Sequence, residues 1–128
     1  MKTVKATREG LVGSRTASQV IITAYNGTLR LSNFFVALPD TNARFLMVHL
    51  RNPANGRELM CPVLDVGPFN THDSDYVFGD ARPATESGQS VSGDGTNGSG
   101  IDLSEGVWAY LDMQDNTNIE WEFLQVPA

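Results

Sequence analysis

"CPVLDVGPFNTHDSDYVF" (Cys61–Phe78) is the stretch on which the fold turns. Its first residues close the apolar run "ELMCPVLDV" (Glu58–Val66). An acid, Asp65, stands at the end of that run, followed at once by Gly-Pro, an aromatic and a polar loop. A strand that gives way to a turn directly after a carboxylate uses that group in one of two ways. It anchors the turn by accepting from its amides, or it is the working end of a site.

Outward from this point, strand signals dominate. Val20–Tyr25 ("VIITAY") and Arg44–Leu50 ("RFLMVHL") are rich in β-branched and apolar residues, and Ile119–Val126 ("IEWEFLQV") alternates so that Trp121 and Phe123 share a face. Between the second and third runs, "RNPANGR" (Arg51–Arg57) carries an Asn-Gly turn signal that predicts a β-hairpin. One segment reads as helix. Asp102–Met113 offers Ser104 as N-cap, Glu105 in the first turn, and Val107, Trp108 and Leu111 at helical spacing.

Ala84–Gly100 ("ATESGQSVSGDGTNGSG") has five glycines and almost nothing apolar, so it reads as a flexible surface loop too polar to pack. It is either a functional lid or groove wall, or a disordered insertion. Residues 1–12 read as a loosely ordered N-terminal arm. Many short strands, one helix and one glycine-rich loop describe an all-β chain closed into a small barrel, a single domain over residues 1–128.

Composition narrows the partners. The chain has 128 residues and fifteen acids against nine bases, a formal charge of -6, which opposes binding along a phosphate backbone; no nucleic-acid partner is expected. No run approaches the length of a membrane span, and residues 1–19 lack the apolar segment of a secretory signal. The lone Cys61 makes no internal disulfide and reads as a small buried apolar residue. No serine-nucleophile elbow, phosphate loop or dinucleotide fingerprint is present, and no cofactor is expected.

The residues that carry chemistry are mostly acids. Asp65 and Asp102 are each a single carboxylate in an apolar frame, "PVLDVGPF" and "GIDLS". Partial desolvation there raises the pKa and keeps the group protonated near neutrality, as a general acid requires. The plainer alternatives are that Asp65 binds turn amides and Asp102 caps the following helix. His72, Asp73 and Asp75 match no zinc or calcium spacing, and His49 falls in a strand, so no metal site is expected. Phe69, Tyr76 and Phe78 are candidates to stack on sugar faces or to pack in the core. Asn70 and His72 stand in the same loop, and Arg82 and Glu86 flank the glycines as groove or solvated residues.

Five elements in order, "GSRTAS" (Gly13–Ser18), "ALP" (Ala37–Pro39), "NPANGR" (Asn52–Arg57), "LDVGPFN" (Leu64–Asn70) and "GIDLS" (Gly100–Ser104), resemble the rare lipoprotein A family. The resemblance runs from about Gly13 to the last strand. It implies a six-stranded double-psi β-barrel, shared with expansins, barwin-like endoglucanases and membrane-bound lytic transglycosylase A, with a polysaccharide groove across it. It further implies that Asp102 and Asp65 are the catalytic pair, and the loop residues Phe69, Asn70, His72, Tyr76 and Arg82 are expected along the substrate. Two positions depart from the family pattern: Val66 replaces its arginine and Phe35 its histidine.

The leading expectation is therefore cleavage of glycan strands, of lytic transglycosylase or glycosidase type, acting on peptidoglycan or a related polysaccharide as a monomer in the cell envelope, outside the cell or in phage delivery. The alternatives are a non-catalytic carbohydrate- or wall-binding module of expansin kind, and a phage-associated structural protein that reuses the barrel.

Overall fold

The computed structural model describes residues 1–8, 20–22, 28–30 and 33–124. Its elements are β1 (Lys2–Arg8), β2 (Val20–Ile22), β3 (Thr28–Arg30), β4 (Val36–Leu38), β5 (Met47–Arg51), β6 (Glu58–Val66), α1 (Ser74–Val77), β7 (Ile101–Leu103), α2 (Glu105–Tyr110) and β8 (Asn118–Phe123). Six strands close a mixed barrel in the order β1-β7-β4-β6-β5-β8, and β8 returns to pair with β1. The pairs β1–β7 and β4–β6 are parallel and the others antiparallel. The strands β2 and β3 form a separate antiparallel ribbon.

Strands β5 to β8 alternate, whereas β4 is buried throughout. Along β6, Cys61, Val63 and Asp65 turn inward while their neighbours are part-exposed, and along β8 Ile119 and Trp121 do the same. Trp121, Tyr76, Leu50, Leu103, Ile101 and Ile119 fill the centre. Burying an aliphatic side chain of this kind contributes about 1.5–3 kcal/mol. The buried Trp121 indole donates to the Tyr76 hydroxyl at 2.8 Å, so its one polar atom is satisfied.

The expected hairpin is present: β5 and β6 pair antiparallel over five residue pairs, from Met47↔Pro62 to Arg51↔Glu58. Gly56 takes φ 77 in its turn, where a side chain is strained. The turn also has a long-range task. The Asn52 and Asn55 amides both donate to the Leu111 carbonyl at 2.9 Å, and Arg57 donates to Tyr110 at 3.1 Å. These are carbonyls that the end of α2 leaves unpaired, so the hairpin caps the helix. At the other end Ser104 accepts from the Val107 amide, as expected of an N-cap.

Four expectations need correction. Residues 2–8 of the presumed N-terminal arm form β1, whose backbone is held on both sides; residues 9–12 lie outside the described structure, as does "GSRTAS". Asp102 belongs to a strand, and the helix begins three residues later, because Ser104 supplies the cap. A short second helix, α1, occupies "SDYV", where Tyr76 and Val77 turn into the core. Finally, residues 84–100 lie largely on the surface, with 86–89, 91–95 and 97 exposed, but are anchored inward at several points. Thr85, Ser90 and Ser99 are buried, with Thr85 Oγ1 donating to the Ser99 carbonyl and Thr96 Oγ1 to the Thr85 carbonyl, both at 2.6 Å. Hydroxyls and backbone amides here take the part that apolar side chains play elsewhere.

Candidate active site

The two acids meet through the register of the barrel. Ala37 on β4 is opposite Asp65 on β6 and also opposite Asp102 on β7, while Asp102 is opposite Thr7 on β1. Asp65, Ala37, Asp102 and Thr7 thus form one row across four neighbouring strands. Two strand spacings separate the acids, about 10 Å between their α-carbons. A register shift between Val36 and Ala37 sets this alignment at the end of β4.

Asp102 is the electrostatically unusual member. Its pKa is raised from 3.8 to about 7, chiefly by desolvation. The Thr7 hydroxyl, which donates to Oδ1, pulls the other way, and the charge of Asp65 adds to the rise. The residue is nevertheless only part-buried, flanked by the sealed Ile101 and Leu103. A carboxyl that holds its proton near neutrality while keeping some access to solvent can donate that proton to a bound molecule. Asp65 is more enclosed, at 7% exposure, and its Oδ1 accepts from the Val66 amide at 2.9 Å, the anchoring contact that turn chemistry predicts.

Thr7 is itself held. Its Oγ1 lies 3.0 Å from the Ser99 Oγ, and the buried Ser99 also reaches the carbonyls of Ile101 at 3.1 Å and Lys5 at 3.3 Å. A hydroxyl has one proton to give. With Thr7 donating to Asp102, the single Ser99 proton is shared among the Thr7 hydroxyl and the two carbonyls, and this polar cluster surrounds the Oδ1 side of the acid. The second oxygen, Oδ2, faces Gly67, where an added Cβ would stand 3.5 Å away. Gly67 has φ 143, a conformation closed to ordinary side chains.

From Gly67 the chain leads into a cleft of about 390 Å³ lined by Phe69, Asn70, Thr71, His72, Val91 and Ser92. Backbone bonds from Thr41 to Thr71 and from Asp73 to Pro39 lay this loop along residues 39–41. Phe69 takes φ 64 and leaves its ring 48% exposed. A bulky residue held in the left-handed region costs on the order of 1–3 kcal/mol, and such strain is concentrated at binding sites.

Three of the five expected substrate contacts, Phe69, Asn70 and His72, share this cleft. Tyr76 does not: it is buried, donating to the Gly100 carbonyl at 2.9 Å, and burial pushes its hydroxyl pKa up. Its place facing inward on α1 makes it core. Arg82 lines a different hollow with Met1, Lys2 and Asp80, and binds Glu86 through Nε at 2.9 Å and Nη2 at 2.7 Å. Phe78 stacks on Phe123 with centroids 5.3 Å apart. Asp73 Oδ2 accepts from the Ala84 amide, an anchor for the next turn.

Phe35, where the family pattern has histidine, is sealed in the interior. His49 is on the outer face of β5 between Glu58 at 3.1 Å and Glu122 at 3.5 Å. Burial raises the Cys61 thiol to about 12, an inert thiol. Among the described residues no cluster of His, Cys, Asp and Glu is placed to hold a metal ion, and no helix is long and apolar enough to cross a membrane.

Sequence reasoning missed Thr7, Ser99 and Gly67. Thr7 fell in a segment taken for an arm and Ser99 in one taken for a loop; only the Gly-Pro after Asp65 signalled a special backbone there.

Comparison with known proteins gives a family and a fold. Residues 1–84 match the family described as "Domain of unknown function (DUF8814)". No curated protein matches the chain. Among solved structures, a Streptomyces papain inhibitor is similar over 97% of this chain and 94% of its own, at 20% identity and a TM-score of 0.51. At that identity the likeness concerns the barrel architecture alone.

Proposed function

We propose a function from one premise: this chain belongs to the DUF8814 family, whose description names no activity. The reading is glycan-strand cleavage by a double-psi barrel akin to rare lipoprotein A, with peptidoglycan as the substrate. Two parallel strand pairs within the closed order support the double-psi reading. Residues 84–100, the glycine-rich loop, supply one wall of the groove through Val91 and Ser92.

One observation carries the reading: Asp102 is an acid poised near neutral pH, in register with Thr7 and, through Ala37, with Asp65. In the mechanism Asp102 gives the proton on Oδ2 to the glycosidic oxygen as the bond to the anomeric carbon breaks. The ionised carboxylate then takes the proton of the sugar's own 6-hydroxyl as that oxygen attacks the anomeric carbon. The product is an anhydro ring, and Asp102 recovers its proton. Asp65 acts through its charge, holding the Asp102 proton affinity high. A hydrolase would need a second open carboxylate about 5–5.5 Å or 6.5–9.5 Å across the bond. Asp65, nearly enclosed, suits that task poorly, which favours the lytic form.

The test is digestion of purified sacculi by wild type and Asp102→Asn. Release of anhydro-muropeptides is expected, falling about 10²–10⁴-fold in the variant, the usual contribution of a positioned acid. A wild type that releases nothing refutes the cleavage reading. If that inactive protein still co-sediments with sacculi, the second reading holds, a non-catalytic wall-binding module. The apolar, buried Phe35 at the histidine position favours it. Papain inhibition is a control for a protein-binding role such as the name of the Streptomyces neighbour describes.

A further inference from the structure

The cleft of Phe69, Asn70 and Val91, which neither acid of the row lines, contains a hydrogen-bond donor without a partner. Asn70 is 4% exposed, and its Oδ1 accepts from the Val91 amide at 2.9 Å. That bond fixes which way the amide points, because only the oxygen can accept from an N–H. The other end, Nδ2, is buried and is the one side-chain polar atom among the described residues found enclosed with no partner. An enclosed, unpaired donor costs about 1–3 kcal/mol, and proteins seldom retain one without use.

Its cover is light. Asn70, Phe69 and Val91 line the same cleft, Phe69 half-exposed and Val91 82% exposed. Neither of these two side chains belongs to the core cluster, so both can give way to a ligand that reaches for Nδ2. The group that fits must be an acceptor. A carboxylate is disfavoured on a chain of net charge -6. A hydroxyl brings a proton that needs an acceptor of its own, whereas an amide carbonyl brings none. The surrounding Phe69 ring and Val91 methyls favour an apolar appendage next to that carbonyl. An acetamido group has both parts.

We infer that the cleft formed by Phe69, Asn70 and Val91 is a subsite for the acetamido group of a 2-acetamido sugar, with Asn70 Nδ2 donating to its carbonyl oxygen. The inference rests on the polysaccharide reading above for the sugar itself. It also gives residues 84–100 a role: the Val91 amide orients Asn70, so the polar excursion builds the subsite as well as walling it.

The experiment is an NMR titration of ¹⁵N-labelled full chain with chitotriose and with cellotriose, which lacks the acetamido groups. Chitotriose is expected to shift the Asn70 side-chain NH₂ and Val91 amide signals and to bind about tenfold more tightly than cellotriose, the discrimination that one hydrogen bond provides. Asn70→Asp keeps an oxygen for the Val91 amide but replaces the donor with an acceptor. It is expected to lose about tenfold in chitotriose affinity while the Val91 amide stays protected from exchange. Equal binding of the two sugars, unchanged binding by Asn70→Asp, no binding, or the same shifts from a blocked N-acetyl dipeptide would each overturn the inference. Chitotriose binding by the wild type without release of anhydro-muropeptides from sacculi sinks the catalytic reading and leaves the subsite standing.

Discussion

Asp102 and Glu86 are carboxyls in opposite surroundings, and their proton affinities move in opposite directions. Asp102 sits on a barrel strand between sealed neighbours, and desolvation raises its pKa to about 7. Glu86 lies in an exposed turn, gripped by Arg82 four residues earlier, and that hydrogen-bonded cation lowers its pKa. The first group is costly to ionise in place; the second is stabilised by ionising. The contrast separates position from pairing: a strand can hold a desolvated acid because the rest of the barrel over-determines it, whereas an exposed turn leaves its acid in water and a neighbouring cation only adds to the ease of ionising.

The largest test of that contrast is the pH dependence of stability. The folded-state pKa of Asp102 is raised above its unfolded value of 3.8. Between pH 4 and 7 the folded chain therefore holds a proton that the unfolded chain has lost, and stability from this group falls as pH rises through that window. Asp102→Asn keeps an oxygen for Thr7 and removes the ionisation. It is expected to flatten the slope and to exceed wild type at pH 8 by roughly 2–4 kcal/mol. Urea unfolding at pH 5 and pH 8 measures it; parallel slopes in the two proteins would show that Asp102 is already ionised at neutral pH.

Next in size is Thr7→Val. The Thr7 hydroxyl favours the ionised acid, so its loss raises the Asp102 pKa further and, under the proposed cleavage, extends its alkaline limb to higher pH. Global stability is expected to fall by only about 1 kcal/mol, the ordinary worth of a lost hydrogen bond. A uniform loss of rate with an unshifted pH profile would reduce Thr7 to a packing residue.

How much of this was legible follows from the range of the forces. The β5–β6 hairpin was readable from "RNPANGR" because a turn is decided within a few residues, as was the Ser104 cap. Local pattern showed the acids only as two apolar-framed aspartates and the family resemblance alone paired them, since their alignment on Ala37 depends on strand order, which no local pattern encodes. Thr7 and Ser99 were invisible for the same reason, ninety-two residues apart yet 3.0 Å from oxygen to oxygen. Tyr76 misled because an aromatic near an acid looks alike whether it faces a groove or the Trp121 indole. Residues 84–100 misled in part: the segment is mostly at the surface, but polarity was taken for a complete lack of packing, when the Thr85 and Thr96 hydroxyls tie it down.

The smallest effect concerns the other half of the contrast. The lowered pKa of Glu86 contributes stability that is present above the usual glutamate range and lost as pH falls through the folded value, a window below that of Asp102. Both partners are substantially exposed, so water and salt screen the pair, and Glu86→Gln is expected to cost only about 0.3–0.5 kcal/mol at low ionic strength and close to nothing at high salt. The same salt change leaves the slope set by Asp102 nearly intact, because desolvation is not screened by ions that cannot enter. Urea titrations of the two variants at both salt levels make the comparison. If salt erased the Asp102 slope together with the Glu86 effect, the raised affinity would come from charge repulsion by Asp65 rather than from burial, and the order of causes given for the acid row would have to be reversed.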